Sequence, residues 1–475
     1  MLLRAMGFAF LALITGSGLL GCNNTEKVTY EKGEERPGGQ TSATVSGRNA
    51  FSLPSANMAV SRRLDFSVGN SFFRNPWVAA PASTKARDGL GPIFNTNGCQ
   101  NCHIKDGRGH APEDGDLNRV SMLVRLSIPP SSEDLPLLPH QGVIPHPVYG
   151  DQLQDFALPG GIAEGRVRVT YEYHKVTFQD GETVELRKPV ISIEEPGYGP
   201  LSSDDYGNVM MSARIAPPMI GLGLLEGISE NDLLANEDID DKNSDGISGK
   251  ANRVWDVEQN KTAIGRFGCK AGQPTLKQQN AAAFNGDMGL TSSLFMKESC
   301  TAKQKRCHEQ MAGEHPEVSD NILNKVTFYS QNLAVPVRHD AKDDKVLTGK
   351  QLFYDADCVS CHTPSFTIGS TAAREQANQK IWPYTDLLLH DMGEGLADHR
   401  PEFLANGREW RTPPLWGIGH THEVDETTGF LHDGRARTLI EAILWHDGEA
   451  AKSKQRVLAM SARERNALIH FVESL

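Results

Sequence analysis

From Ala5 to Gly21 the chain is uncharged and largely apolar, but it is short and interrupted by Gly, Ser and Thr, which makes a poor membrane span. Residues 23–58 lose every periodicity; Gly, Ser, Thr, Asn and charged side chains dominate, and the stretch is expected to be a flexible tether. From Arg62 onward Phe66, Phe72, Phe73 and Trp77 return at near-helical spacing. Residues 166–178 alternate instead. Val167, Val169, Tyr171 and Tyr173 fall on one face, and Arg168, Thr170, Glu172 and His174 on the other. Asp180-Gly181 and the run Thr183-Val184-Glu185-Leu186 complete a predicted β-hairpin over 166–187. Gly349, Leu352 and Phe353 mark a helix before Cys358, and Leu439, Ile443 and Leu444 mark an amphipathic helix ending near His446.

Two copies of one pentapeptide organise the chemistry: Cys99-Gln100-Asn101-Cys102-His103 and Cys358-Val359-Ser360-Cys361-His362. In a C-x-x-C-H run the two thiols can add to the vinyl groups of a haem, and the histidine then lies under the iron as an axial ligand. A zinc site would need both cysteine pairs together and leaves the histidines without a role. A thioredoxin-like motif has no reason to carry the histidine twice. The pattern therefore predicts two covalently bound c-type haems, with His103 and His362 as axial ligands. For the far side of the first iron the candidates are Met122, which has a core methionine as its alternative reading, His110, only seven residues after His103, or no protein ligand at all. For the second iron His446 is the first choice, then Met392 and His432.

At 475 residues and 39 % hydrophobic the chain has room for two or three domains. We expect a mainly α fold with two cytochrome c-like haem domains, residues 59–335 and 336–475, the first carrying a large hairpin and irregular insertion. With 48 Lys+Arg against 60 Asp+Glu, a net charge of −12, nucleic acid is an unsuitable partner and a small cationic electron-donor protein, of cytochrome or cupredoxin type, is a suitable one. Arg4, the apolar run and Leu19-Leu20-Gly21-Cys22 have the outline of an export signal over residues 1–22 ending in a lipobox. Acylation of Cys22 would anchor the protein at a membrane surface, and Asn23 after it favours the outer membrane.

Three further sites stand out. Glu226 closes the apolar, glycine-bearing run from Arg214, either as a buried catalytic acid or as a solvated helix residue. Asp241, Asn243, Asp245 and the carbonyl of Ile247 match the first half of an EF-hand calcium loop over 241–252; Asn252 at the twelfth position makes it a truncated variant, and a solvated turn is the alternative. Cys300 and Cys307 are expected to form a disulfide in an exported protein, leaving Cys269 as a small buried hydrophobe.

The runs RDGLGP, CQNCHIKDGRG, RIAPPMIGLGLLEGI, GRFGCKAGQPTL, LLLHDMGEGLADHR, EWRTPPLWGIG and FLHDGRARTLIEAILWH resemble the bacterial di-haem oxidoreductases, a group also labelled thiol oxidoreductase-like and related to the di-haem cytochrome c peroxidases. The resemblance covers about Arg62 to Leu475. It implies a peroxidase-like oxidoreductase with one haem relaying electrons to the other, peroxide or another small oxidant as substrate, and Glu226 in acid–base work. Electron transfer alone, and long-range oxidation of a partner protein, are its alternatives. It places His446 where the relatives carry a distal methionine, Cys269 where they usually carry Trp, and a calcium ion near the haems.

Overall fold

The computed structural model describes residues 27–117, 121–202, 207–310 and 313–475. The expected export signal and lipidation site at Cys22 fall outside the described residues. Three helices, Arg63–Arg74, Leu276–Met288 and Asp320–Gln331, enclose an apolar core containing Phe66, Phe73, Trp77, Phe284 and Tyr329. Thr275 and Ser319 start the latter two, their hydroxyls accepting from the amides of Gln278 and Ile322. A second core forms where helices Asp344–Asp355, Leu439–Trp445, Ala451–Ala459 and Ala462–Ser474 meet over Val346, Phe353, Leu444, Leu468 and Phe471. Here Asp343 and Thr438 act as caps, and Ser461 with Glu464 forms a capping box. Each cap satisfies an amide that a helix start would leave unpaired.

One device joins the helices in both cores. A Cβ on Gly69 would lie 2.2 Å from the carbonyl oxygen of Lys325 and 2.7 Å from Cβ of Tyr329. A Cβ on Gly349 would lie 1.9 Å from the carbonyl oxygen of Ala467 and 2.7 Å from Cβ of Phe471. Only glycine permits either crossing. One turn further along each helix an aromatic ring reaches a motif histidine: Phe73 lies 6.0 Å from His103 and Phe353 lies 6.2 Å from His362, centroid to centroid.

The expectation of a mainly α chain made of two cytochrome c-like domains is corrected. Helix accounts for 30 % of the chain and strand for 18 %, in six two-stranded antiparallel sheets among the described residues. Apart from the hairpin these strands are two to six residues long and several pair across long gaps in sequence, as Met122–Ser127 does with Met210–Ile215. So short a strand leaves little alternation to read. The hairpin itself pairs Arg166–Thr177 with Thr183–Glu194 and is longer than its sequence pattern predicts. Its open end buries Val167, Val169 and Tyr171 beside Val124 and Leu126, and its turn end buries Phe178 and Leu186 in the core of Phe353 and Phe471. The ribbon is a strap between distant cores.

Residues 27–58 depart from the tether expectation. Ala43 bridges to Pro336 and Pro54 to Leu333. Glu34 is buried, with one carboxylate oxygen 2.6 Å from Nζ of Lys350 and 3.6 Å from Nη1 of Arg338. A polar composition hides this packing because the partners lie some three hundred residues away in sequence.

Candidate functional site

Each motif opens with a single 3-10 turn, Cys99–Asn101 and Cys358–Ser360, in which the amide of the histidine donates to the carbonyl of the first cysteine at 2.9 Å. Nδ1 of His103 lies 2.8 Å from the carbonyl of Pro217, and Nδ1 of His362 lies 2.9 Å from that of Tyr384. A carbonyl can only accept, so Nδ1 carries the proton in both rings and Nε2 is left bare. Burial pushes both imidazoles down to about 4, which keeps Nε2 unprotonated at neutral pH.

One continuous cavity of about 450 Å³ joins the motifs, with Cys99, Cys102 and His103 at one end and Cys358, Cys361 and His362 at the other. His446 also lines the second end. Its Nδ1 is 2.8 Å from the carbonyl of Ala442, so it too presents a bare Nε2, and burial lowers its proton affinity. The two alternatives, Met392 and His432, line the same cavity; His432 stacks on Trp410 at 4.9 Å and places Nε2 against the carbonyl of Arg411 at 3.1 Å.

At the first end the expected methionine is turned away. The strand Met122–Ser127 sends Leu123 and Arg125 to the cavity and buries Met122, Val124 and Leu126 in the core on its other face. Met122 therefore faces away from the cavity. His110 lies outside the cavity lining, with Nδ1 4.0 Å from the carboxylate of Asp425.

Glu226 is likewise absent from the cavity. Its oxygens accept from the amide of Leu276 and the side chain of Gln331, each at 2.8 Å, which fixes the start of helix Leu276–Met288. The run before it matters for another reason: it carries Pro217, whose carbonyl orients His103. Among the carboxyls that do line the cavity, Asp287 sits near Cys99 and Cys102, and burial raises its proton affinity.

The calcium loop closes on itself. Asp241 accepts from the amide of Gly246 at 3.2 Å, Asp245 accepts from the amide of Ile247 at 2.7 Å, and the amide side chain of Asn243 donates to Asp245 at 2.8 Å. The ammonium of Lys452 meets the carbonyl of Asp245. Asn252 is buried and holds the carbonyls of Lys270 and Glu402, so it cannot complete a twelve-residue cage. These side-chain-to-amide bonds arrange the loop as successive Asx turns. Cys300 and Cys307 are joined by a disulfide. Cys269 is buried in the cavity wall, where burial pushes its thiol up.

Sequence reasoning passed over the cations of this cavity. Arg108, half-buried, and Arg411, buried, line it and among the described residues hydrogen-bond only to carbonyls: those of Gly429 and Leu431 for Arg108, and of Gly268 and Thr412 for Arg411. Burial lowers each to about 10. Nη2 of Arg214 and Nε1 of Trp416 line the same space and have no hydrogen-bond partner. Donors so placed suit a ligand that brings its own carboxylates, as the propionates of a haem do. Nothing local in the sequence separates a buried arginine from an exposed one. Also missed was His390, buried between Asp386 at 2.8 Å and Glu449 at 2.7 Å, with Nδ1 3.5 Å from the sulfur of Cys361. Burial opposes its charge, but the carboxylates outweigh burial and hold it protonated.

Two cysteine pairs, three bare imidazole nitrogens and two guanidinium groups that meet only carbonyls among the described residues, all around one cavity, fit two haems. The family described as "Di-haem oxidoreductase, putative peroxidase" matches residues 31–475. The chain belongs to this family. The match to the di-haem oxidoreductases begins inside the segment expected to be a tether, in keeping with the packing of that segment. No curated protein matches the chain.

Proposed function

We propose that this di-haem oxidoreductase is an exported peroxidase that reduces a peroxide at the haem on Cys99, Cys102 and His103, supplied with electrons through the haem on Cys358, Cys361 and His362. The observation that carries the reading is the asymmetry of the two ends. The second end offers two imidazoles, His362 and His446, whereas at the first end Met122 is turned into the core. A six-coordinate iron suits electron relay and an open one suits substrate. The haems supply the redox chemistry, through covalent bonds to the four motif cysteines. The chain's own residues orient them: Pro217, Tyr384 and Ala442 fix the three imidazoles, and Arg108 and Arg411 receive carboxylates. Asp287 is the buried carboxyl placed to hold a proton at the first end, the role that Glu226 leaves vacant. Reduction of hydrogen peroxide consumes two electrons and two protons and releases two waters. A small basic electron-donor protein would meet the acidic surface, and acylation at Cys22 would keep the enzyme at the outer membrane.

CO binding to the fully reduced holoprotein, followed in the Soret band, tests this reading. One CO adduct per chain is expected. Absence of an adduct at either haem would make the protein an electron carrier and remove the peroxidase reading.

A further inference from the structure

The two cores present the same arrangement behind their motif histidines, with one chemical difference. Behind His362 the ring of Phe353 rests on Phe471 at 5.3 Å. Behind His103 the ring of Phe73 rests on Tyr329, also at 5.3 Å, and the glycine crossings Gly69 and Gly349 place these two residues alike. Packing at this position is thus satisfied by phenylalanine in one half, while the other half adds a hydroxyl and must bury it. Tyr329 is fully buried, and its hydroxyl donates to Oδ1 of Asp106 at 2.7 Å. Asp106 is also fully buried, and its other oxygen accepts from Ser52 at 2.6 Å. Both oxygens of the carboxyl thus accept a hydrogen bond, and Oδ1 is the atom that faces the phenol proton. Burial, with Asp106 alongside, pushes the phenol far above its usual value, so Tyr329 does not lose a proton by itself.

We propose that Tyr329 is a one-electron donor to the first haem, with Asp106 as the acceptor of its proton. The inference rests on the peroxidase reading, because a peroxide is the oxidant. The phenol O–H bond breaks; its proton passes to Oδ1 of Asp106 and forms an O–H bond there. One electron passes by way of Phe73 and His103 to the peroxide-oxidised haem, which is reduced by one electron. The phenol becomes a neutral phenoxyl radical, so that of the two oxidising equivalents a peroxide brings, one rests on Tyr329 and the other stays with the first haem. The electron and the proton leave together because neither charged intermediate is stable in so apolar a place. Tyr329 would hold one oxidising equivalent beside the first haem until the second haem delivers its electron.

The experiment is freeze-quench EPR of the holoprotein mixed with hydrogen peroxide, with peroxide consumption followed in parallel. A tyrosyl radical signal is expected in the unaltered protein, narrowed by ring-deuterated tyrosine, and lost in Y329F and in D106N with both haems still attached. The Phe471 arrangement shows that phenylalanine fits this position, and the isotope readout needs no variant. Peroxide consumed with no tyrosyl signal in the unaltered protein overturns the inference and leaves the peroxidase reading standing. A signal that persists in Y329F overturns it as well, by assigning the radical elsewhere. No peroxide consumption removes the peroxidase reading and the inference with it.

Discussion

His103 points its protonated Nδ1 at the carbonyl of Pro217, 2.8 Å away, and so the proline-rich run holds the imidazole of the first motif in place. A hydrogen bond from Nδ1 to a backbone carbonyl sets the tautomer and fixes the plane of the ring, which is what a metal-ligating histidine needs from its surroundings. Tyr384 does the same for His362, and Ala442 for His446. The three carbonyls come from a proline run, a loop and a helix, so the shared geometry answers a shared chemical demand.

Glu226 stands nine residues after Pro217 and belongs to a different task. Its carboxylate receives the amide of Leu276 at the positive end of a thirteen-residue helix. E226Q is expected to lower stability by about 1 kcal/mol, the usual size of a lost cap interaction, and to leave peroxide turnover per haem unchanged. Thermal denaturation and steady-state turnover measured on one preparation check both halves. A loss of turnover with an unchanged melting temperature would return the residue to the cavity.

What could be read in the sequence was local. The C-x-x-C-H runs need only one turn of chain, and the hairpin alternates over enough residues to be seen. What could not be read depended on residues far away. Met122 lies on a six-residue strand whose inward face is decided by pairing with Met210–Ile215, so Leu123 faces the cavity in its place. Asn252 matches the end of a calcium loop by position, yet long-range bonds to Lys270 and Glu402 claim it. The guanidinium groups of Arg108 and Arg411 look like surface charges until the fold encloses them.

The segment 27–58 gives the sharpest contrast with its composition. Glu34 meets both Lys350 and Arg338 in a dry site, and Arg338 is further tied to Ser474 at the C-terminal helix. Removing one partner of a buried ion cluster leaves the others uncompensated, which typically costs about 3–5 kcal/mol. E34Q is therefore expected to lower the unfolding free energy read from chemical denaturation by that amount, where a tether residue would change nothing. Limited proteolysis gives a second check: the unaltered segment should resist cleavage, and the variant should be cut within it.

Glu164 makes stability depend on pH. It is buried with its oxygens taking the amide of Gln154 and the side chain of Gln304, and burial raises its pKa from 4.5 to about 8. The folded state therefore holds a proton that the unfolded state has lost. This contribution is fully present below pH 4.5 and fades as pH rises through 8, with a slope of at most about 1.4 kcal/mol per pH unit. E164Q should flatten the fall in stability between those limits, whatever its effect on stability at any single pH. Denaturation midpoints of both proteins across a pH series measure the slope; parallel curves would mean that Glu164 does not titrate in this window.

Under the proposed assignment of His446 to the second iron, exchanging that residue tests the assignment directly. His446 ends the helix Leu439–Trp445, its Nδ1 is bound by Ala442, and its Nε2 faces the cavity that holds His362. Replacing it by methionine keeps a donor atom in reach but exchanges an imidazole for a thioether, which stabilises ferrous iron. H446M is therefore expected to raise the potential of one haem and leave the other near its original value, read by optical redox titration. H446A removes the donor and should add a second CO adduct in the reduced protein, on the haem of Cys358 and Cys361. If both variants keep the original potentials and CO stoichiometry, another residue completes that iron, and Met392, which lines the same end, is the one to replace next.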